Sequence, residues 1–363
     1  MEMKKEKVII FLDKYHHVFS RISELLSDRV EYKFMWVGHF RPGRLPRILP
    51  ALFYYRVKGF RILHFHWLEM YYIDKSFLVS SFYAFILLLG LVFLKIAGYK
   101  VVWTCHNIYP HENIYPGLTR LVRRLFVKLC DYILVMHKSM ISKIASDFNY
   151  KGKFKCIRGG CCFETYAGNR TDARESLNLP EGSSVIVSTG SIRRYKNLDM
   201  LVKAFSIIDS DVRNDLRLVI VGKFSDKDLA DELEKLSSGI PEIFLFLKDT
   251  TIPSLGAYVA AADIMAIPQT MDGVSANLHL AASYGVPVLT TPESGGTARL
   301  VEEYGLGEIC DLNVNSLSRA MEGLYKAKEK LKRYSNNAKK FIKEDSWERS
   351  AQGHLEAYKE ALT

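Results

Sequence analysis

The chain has 363 residues, 48% of them hydrophobic and 25% charged, with a formal net charge of +10. Such a length fits two domains of ordinary size better than one core, and such a composition excludes extensive disorder. Residues 1–170 hold 27 Lys and Arg against 12 Asp and Glu, a net of +15, whereas residues 171–363 hold 23 against 28, a net of −5. The basic half is therefore the one expected to meet something anionic.

The opening "MEMKKEKVIIFLD" has too short an apolar run for a signal peptide. The six cysteines form no C-x-x-C pair, as expected of reduced thiols in a cytosolic protein. Apolar runs at Val8–Asp13, Tyr32–Gly38, Arg61–Trp67, Lys100–Asn107, Tyr132–His137 and Phe154–Arg158 predict parallel strands covered on both faces. Helical patterns fall between them, notably Thr119–Leu129 and Ser139–Phe148.

From Tyr32 to Leu68 there are seven cations and no acid. Lys33, Arg41, Arg44, Arg47, Arg56, Lys58 and Arg61 are interleaved with Phe40, Phe53, Tyr54 and Tyr55, a mixture that suits an anionic membrane surface. No nucleic-acid reader signature accompanies the charge, so nucleic acid is not expected as a partner. Next, between Lys75 and Lys95, come nineteen uncharged residues, "SFLVSSFYAFILLLGLVFL". They are long enough to span a bilayer. The strand patterns on either side favour a crossover helix, buried or skimming a membrane, because such a helix packs back across its own sheet.

"VVWTCHNIYPHE" ends an apolar strand on groups that bind or move protons. His106 and Asn107 fall at its carboxyl end, with His111 and Glu112 in the following loop. An imidazole there can take a proton near neutral pH, and a carboxylate can orient it or act as base. His66, Trp67 and Glu69 lie toward the same end of the preceding strand. Helix caps and loop hydrogen bonds are the alternative. A zinc site of His64, His66, His106 and His111 lacks the usual cysteine or H-E-x-x-H partner, and no metal is expected.

Glycine, asparagine and proline break the rhythm near Gly159–Gly168, the predicted linker. The expected parts are residues 1–163, residues 170–340, and a closing helix over 341–363 that crosses back to the first domain. Alternation restarts with strands at Val185–Thr189, Leu216–Val221, Ile243–Leu247, Asp263–Ile267 and Val286–Thr290. Helices are expected at Leu198–Ile208, Leu229–Leu236, Leu317–Lys328 and Ser346–Ala361. The fold class is α/β: two Rossmann-like doubly wound domains facing across a cleft, with ligands at the carboxyl ends of the strands.

After the strand at Val185–Thr189, Gly190 and Ser191 let backbone N–H groups approach an anion. Arg193, Arg194 or Lys196 can neutralise phosphates there, unless the turn is merely solvated. Ser294, Gly295 and Gly296 open another helix after a strand, as a second anion seat or a plain glycine turn. Asp272, Ser275 and Asn277 form a polar strand-end loop suited to hydroxyl-rich ligands, although capping would also explain Ser275 and Asn277.

In this order, "TGSIRRYKNLDMLVKAF", "LRLVIVGK", "AYVAAADIMAIPQ" and "LHLAASYGVPVLTT" resemble the donor-binding domain of GT-B glycosyltransferases, chiefly family 4 and its relatives. "FHWLE" followed by "VVWTCHNIYPHE" resembles a subset that includes bacterial polysaccharide and xanthan-type mannosyltransferases. The resemblance runs from about Arg61 to Val301. It implies transfer of a hexose from a GDP- or UDP-sugar, GDP-mannose first, to a lipid-linked or saccharide acceptor in cell-surface polysaccharide synthesis. The expected place is the cytoplasmic face of the cell membrane, with no obligatory cofactor or metal ion. The first domain would bind the acceptor and face the membrane, and the second would bind the nucleotide sugar.

By position, Lys196 matches the lysine that contacts the donor diphosphate. The arginine that usually follows the turn glycine is Ser191 here, which leaves Arg193 or Arg194 to substitute. The two places of the family's Glu-x7-Glu pattern hold Asp272 and Leu280 here. Asp272 can keep the role on the sugar hydroxyls, but Leu280 cannot hold a ribose. His106 falls where such enzymes place a histidine near the reacting sugar, and His106, His111 and Glu112 are the candidate bases. The missing second carboxylate tilts the expectation toward inversion. A nucleotide-sugar epimerase of the same fold and a non-catalytic partner of a polysaccharide assembly complex are the alternatives.

Overall fold

A computed structural model describes residues 5–12, 17–35, 45–110, 112–158, 166, 168–180, 182–224, 226–247 and 252–363, without the side chains of 17, 18, 45–47 and 252–254. The chain divides into two compact units, residues 1–160 with 347–363, and residues 161–346.

The first unit is built on a parallel sheet of β1 (Glu6–Phe11), β2 (Val30–Phe34), β3 (Ile62–Phe65), β4 (Lys100–Cys105), β5 (Tyr132–Val135) and β6 (Lys153–Cys156). The spatial order is β2-β1-β3-β4-β5-β6. The connecting helices are α1 (His17–Leu25), α2 (Leu45–Val57), α3 (Phe77–Ile96), α4 (Pro116–Leu129) and α5 (Ser139–Phe148). Strands β3 and β5 are buried along their whole length, which is why their sequences are apolar runs, interrupted in β3 only by His64. Helix α4 opens on Pro116, whose missing N–H costs nothing in a first turn. Helix α5 stops at Asn149, which takes the left-handed conformation at φ 50°.

The second unit begins with α6 (Arg170–Ser176), held by a capping box between Asn169 and Asp172. Its strands are β7 (Ser184–Thr189), β8 (Leu216–Val221), β9 (Ile243–Phe246), β10 (Ile264–Ile267), β11 (Val288–Thr290) and β12 (Gly307–Ile309). All pair in parallel in the order β12-β11-β10-β7-β8-β9. Around them lie α7 (Leu198–Ser206), α8 (Ser210–Arg213), α9 (Lys227–Ser237), α10 (Ile252–Ala261), α11 (Ala276–Ser283), α12 (Gly296–Tyr304), α13 (Val314–Lys326) and α14 (Lys328–Glu344). The last helix, α15 (Trp347–Leu362), belongs to the first unit and packs against α1, β4 and β5.

Several boundaries differ from the sequence expectation. The strand expected at Tyr32–Gly38 is Val30–Phe34, because its pairing with β1 ends at Ile10 opposite Phe34; residues 36–44 lie outside the described residues. The linker at Gly159–Gly168 lies almost wholly outside them too. Helix α13 starts three residues before the expected Leu317, at the point where the Asn313 side chain accepts a hydrogen bond from Ser316 N–H. Helix α14 has no counterpart in the expectation. Only Tyr334, Ala338 and Phe341 are buried on it, and the charged residues around them hide the pattern. The long apolar stretch forms α3, which joins the adjacent parallel strands β3 and β4 and buries one side in the core of its own unit.

Candidate functional site

Two loops in the second unit leave the strand ends where the order reverses, between β7 and β10. This switch point is where open α/β sheets bind ligands. After β7 the chain turns at Gly190, φ 88°, where a Cβ would sit 3.0 Å from the Lys196 ammonium and 3.8 Å from the Asn277 amide oxygen. Glycine is needed here for the left-handed turn and for that close approach. Lys196, in a short 3-10 turn, is buried and donates to the Thr189 carbonyl at 2.8 Å. Asn277, near the start of α11, donates to the same carbonyl at 2.8 Å and accepts from the Thr189 hydroxyl at 3.2 Å. Burial, reinforced by the nearby Arg193 guanidinium, lowers the Lys196 pKa to about 8.

The loop after β10 is held from both sides. Asn197 donates to the Pro268 carbonyl at 2.6 Å, and Thr270 N–H to the Tyr195 carbonyl at 2.7 Å. On the other side the Ser294 hydroxyl bonds the Ile267 and Gln269 carbonyls at 2.9 and 2.8 Å. Gly296 N–H is directed at the Asp272 carbonyl at 3.4 Å, and the Thr297 hydroxyl accepts from Ser275 N–H at 2.9 Å. A Cβ on Gly295 would come within 2.3 Å of the Met271 carbonyl. The Ser294-Gly295-Gly296 turn thus uses these groups to buttress the Asp272 loop. Ser275 caps α11 by accepting from Asn277 N–H at 3.3 Å.

Some expected donor residues are placed differently from the sequence reading. Arg194 points to α9, where it pairs with Asp226 at 3.3 Å and Glu232 at 2.9 Å. Two carboxylates already neutralise it, so of the two arginines only Arg193 reaches Lys196 electrostatically. Ser191 is exposed, and Asp272 is half-buried in its loop. Leu280 is buried in the apolar core of the unit, so its place in the pattern is filled by packing.

In the first unit the histidines gather at the carboxyl ends of β3 and β4. His66 Nδ1 and His106 Nε2 lie 2.9 Å apart and share a hydrogen bond. The Trp67 indole stacks on the His106 ring, with centroids 4.4 Å apart and planes 10° apart. Trp67 holds φ 20°, a value rare for a bulky side chain and a form of stored strain at this edge. Behind it, His64 is bonded at both ring nitrogens, to the Tyr358 hydroxyl at 2.8 Å and the Thr104 hydroxyl at 2.7 Å. Burial holds its pKa well below the ordinary imidazole value, with His354 and His106 adding to the effect.

Arg123, from α4, ties this edge together. It is buried, and it donates to the Asn107 carbonyl at 2.6 Å, to the Ile108 carbonyl, and to Glu69 at 2.8 Å. Sequence reasoning missed Arg123 because it reads as one of several cations on an amphipathic helix. Its one signal is position: it follows Val122 on the buried face of α4. Glu112 is exposed, and His111, Arg41 and Arg44 lie outside the described residues, as does the Arg47 side chain. Arg56 donates to the Ala97 carbonyl at 2.9 Å, and Lys58 is exposed with its ammonium over the Tyr54 ring. Among the described residues no group of three or more His, Cys, Asp or Glu could hold a metal ion.

Comparison with known proteins follows this division. Residues 169–341 match the family described as glycosyl transferases group 1. Over 200 residues, 53% of this chain, the sequence is 30% identical to a D-inositol 3-phosphate glycosyltransferase of Rhodococcus erythropolis, covering 45% of that protein. The chain thus spans about half the length of the curated relatives it matches. A solved glycosyltransferase from Rickettsia africae superposes with a TM-score of 0.75 at 14% identity, covering 99% of this chain and 100% of the other. The Anabaena protein HepE, in complex with UDP and glucose, superposes with a TM-score of 0.71 at 14% identity, covering 97% and 98%. The fold is therefore that of the GT-B class, two parallel-sheet α/β units.

Proposed function

We propose that the chain is a glycosyltransferase that moves a hexose from a nucleotide-diphosphate sugar to a hydroxyl acceptor, without an obligatory metal ion. The observation that carries this reading is Lys196, a buried ammonium at the carboxyl end of β7, beside a glycine turn, inside the segment that matches group 1 transferases. Such a cation is costly while its site is empty, and it gains most when phosphoryl oxygens arrive, because a low dielectric strengthens the pair. As the bond to the sugar breaks, charge builds on the leaving diphosphate, and a fixed cation stabilises it. Arg193 adds a second charge, and Asp272 and Asn277 supply polar groups for the sugar hydroxyls.

On the acceptor side, His106 is the group proposed to take the hydroxyl proton. The hydrogen bond with His66 couples the tautomers of the two rings: for His106 to take a proton on Nδ1, its Nε2–H donates to His66 Nδ1, and the stacked Trp67 restrains the ring. Glu112, in the loop that follows, is the alternative base among the described residues. The donor class is supported by the neighbour that binds UDP and glucose. GDP-mannose remains the first donor to test, and a lipid-linked or saccharide acceptor in cell-surface polysaccharide synthesis the first acceptor. A second reading, an inositol phosphate acceptor, is favoured by the names of the curated relatives.

Calorimetry against a panel of GDP- and UDP-sugars tests the proposal, with Lys196→Ala alongside. One sugar nucleotide should bind, and the variant should bind it more weakly by roughly 1.5–3 kcal/mol, the worth of one hydrogen bond to a charged group. Absence of binding by the native chain, or equal binding by the variant, would overturn it. Isomerised sugar nucleotide without acceptor would identify an epimerase instead.

A further inference from the structure

A crossover helix on an open sheet normally shows polar residues to solvent. Helix α3 does not. One side, including Ala84, Leu87, Leu91 and Leu94, is buried against the core of its unit. On the opposite side Leu78, Phe82, Phe85, Leu89, Val92 and Ile96 recur at spacings of three and four and are 39% to 78% exposed. They form one stripe about 27 Å long at 1.5 Å per residue. The neighbouring helices extend it. Helix α4 adds exposed Leu121 and Leu125, and α2 adds exposed Phe53, Tyr54 and Val57.

The charge that these three helices carry is of one sign. Helices α2, α3 and α4 contain no Asp or Glu at all, and Arg120, Arg124 and Lys128 are exposed on α4 beside its two leucines. A wide apolar patch rimmed by cations is what an anionic lipid surface accepts, apolar groups entering the acyl boundary and cations meeting headgroups. Two copies of such a face would bring like charges together. A span across the bilayer would strip the inner side of α3 from its sheet.

From this we infer that the α2–α3–α4 face docks in an anionic bilayer, with α3 lying in the plane of the membrane and its outward stripe among the acyl chains. The contact joins α2, from the basic stretch, to α3, expected from the sequence as buried or membrane-skimming, and adds α4. Nothing in this inference depends on the donor-binding reading, because every residue it uses lies on the outside of the first unit.

Cosedimentation of the full chain with vesicles of phosphatidylcholine, with and without phosphatidylglycerol, tests it. Two variants are compared: Phe82→Ser with Phe85→Ser and Leu89→Ser, and Arg120→Glu with Arg124→Glu. These side chains are exposed, and an unchanged thermal melt without vesicles verifies the fold. The native chain should partition to the anionic vesicles only, and each variant roughly tenfold more weakly. Failure of the native chain to bind anionic vesicles, or undiminished binding by the serine variant, would overturn the inference. So would a lipid-free dimer that the serine variant dissolves, since a second copy would then cover the face. Lys196→Ala should bind vesicles like the native chain, so failure of the transferase reading is seen separately.

Discussion

Lys196 is the residue where function and stability pull apart. Its pKa falls from 10.5 to about 8, chiefly through burial, which corresponds to roughly 3 kcal/mol against the protonated form. Between those two values the unfolded chain binds more protons than the folded one, so this residue's contribution to stability rises with pH through that window and is unfavourable below it. A diphosphate ligand reverses the preference, because it selects the ammonium. Donor affinity should therefore fall as pH rises above about 8, and binding in that range should take up a proton. Calorimetry in two buffers of different ionisation enthalpy reads the uptake. Lys196→Met should abolish both the uptake and most of the affinity while melting no lower than the native chain. A marked loss of stability in that variant would mean that the ammonium is structural. Lys196 itself was legible in the sequence from its place between a strand and a helix; its burial was not, since a basic cluster in a turn reads equally well as solvated.

Helix α15 shows the same contrast one level up. Its existence was legible, because its apolar positions recur at helical spacing. What it covers was decided by packing: Ala351, Leu355 and Tyr358 close the apolar layer of the first sheet beside Phe19 and Leu134. His354 sits in that layer and is bonded to the Ser350 carbonyl at 2.8 Å. Burial lowers its pKa from 6.5 to about 4. As pH falls from 6.5 toward about 4, the unfolded chain takes up a proton that the folded chain refuses, so stability is lost through this window. His354→Asn should keep the bond to Ser350 and remove the titration. Its melting temperature should then depend less on pH across that range than the native one, as scanning calorimetry would reveal. Helix α3 was legible as a crossover helix between parallel strands, yet a purely apolar sequence carries no mark of which side faces the sheet. Only the packed structure separates its buried stripe from its exposed one.

On the scale of the whole molecule, the chain leaves the first unit, builds the second, and returns with α15. Ending the chain at Asp345 should therefore unfold or weaken the first unit alone, by exposing the layer around Phe19, Val8 and Ile10. Two transitions in urea should resolve this, the second unit keeping its own midpoint; a fall in both would show that α15 serves both units. The sequence by itself determined the class of fold. Continuous apolar strands separated by helical periods leave few solutions other than parallel sheets covered on both faces, and the loops at their carboxyl ends could be named before any coordinates. It also placed Lys196, Gly190 and His106 at those ends. What only the tertiary structure decided is which groups meet across residues distant in the chain: His66 with His106, Arg123 with Glu69, Lys196 with the Thr189 carbonyl beside Asn277, and Arg194 with the acids of α9. Those pairings depend on strand register and helix packing, which join residues by position in space, whereas periodicity records only how each segment divides its own surface between core and solvent.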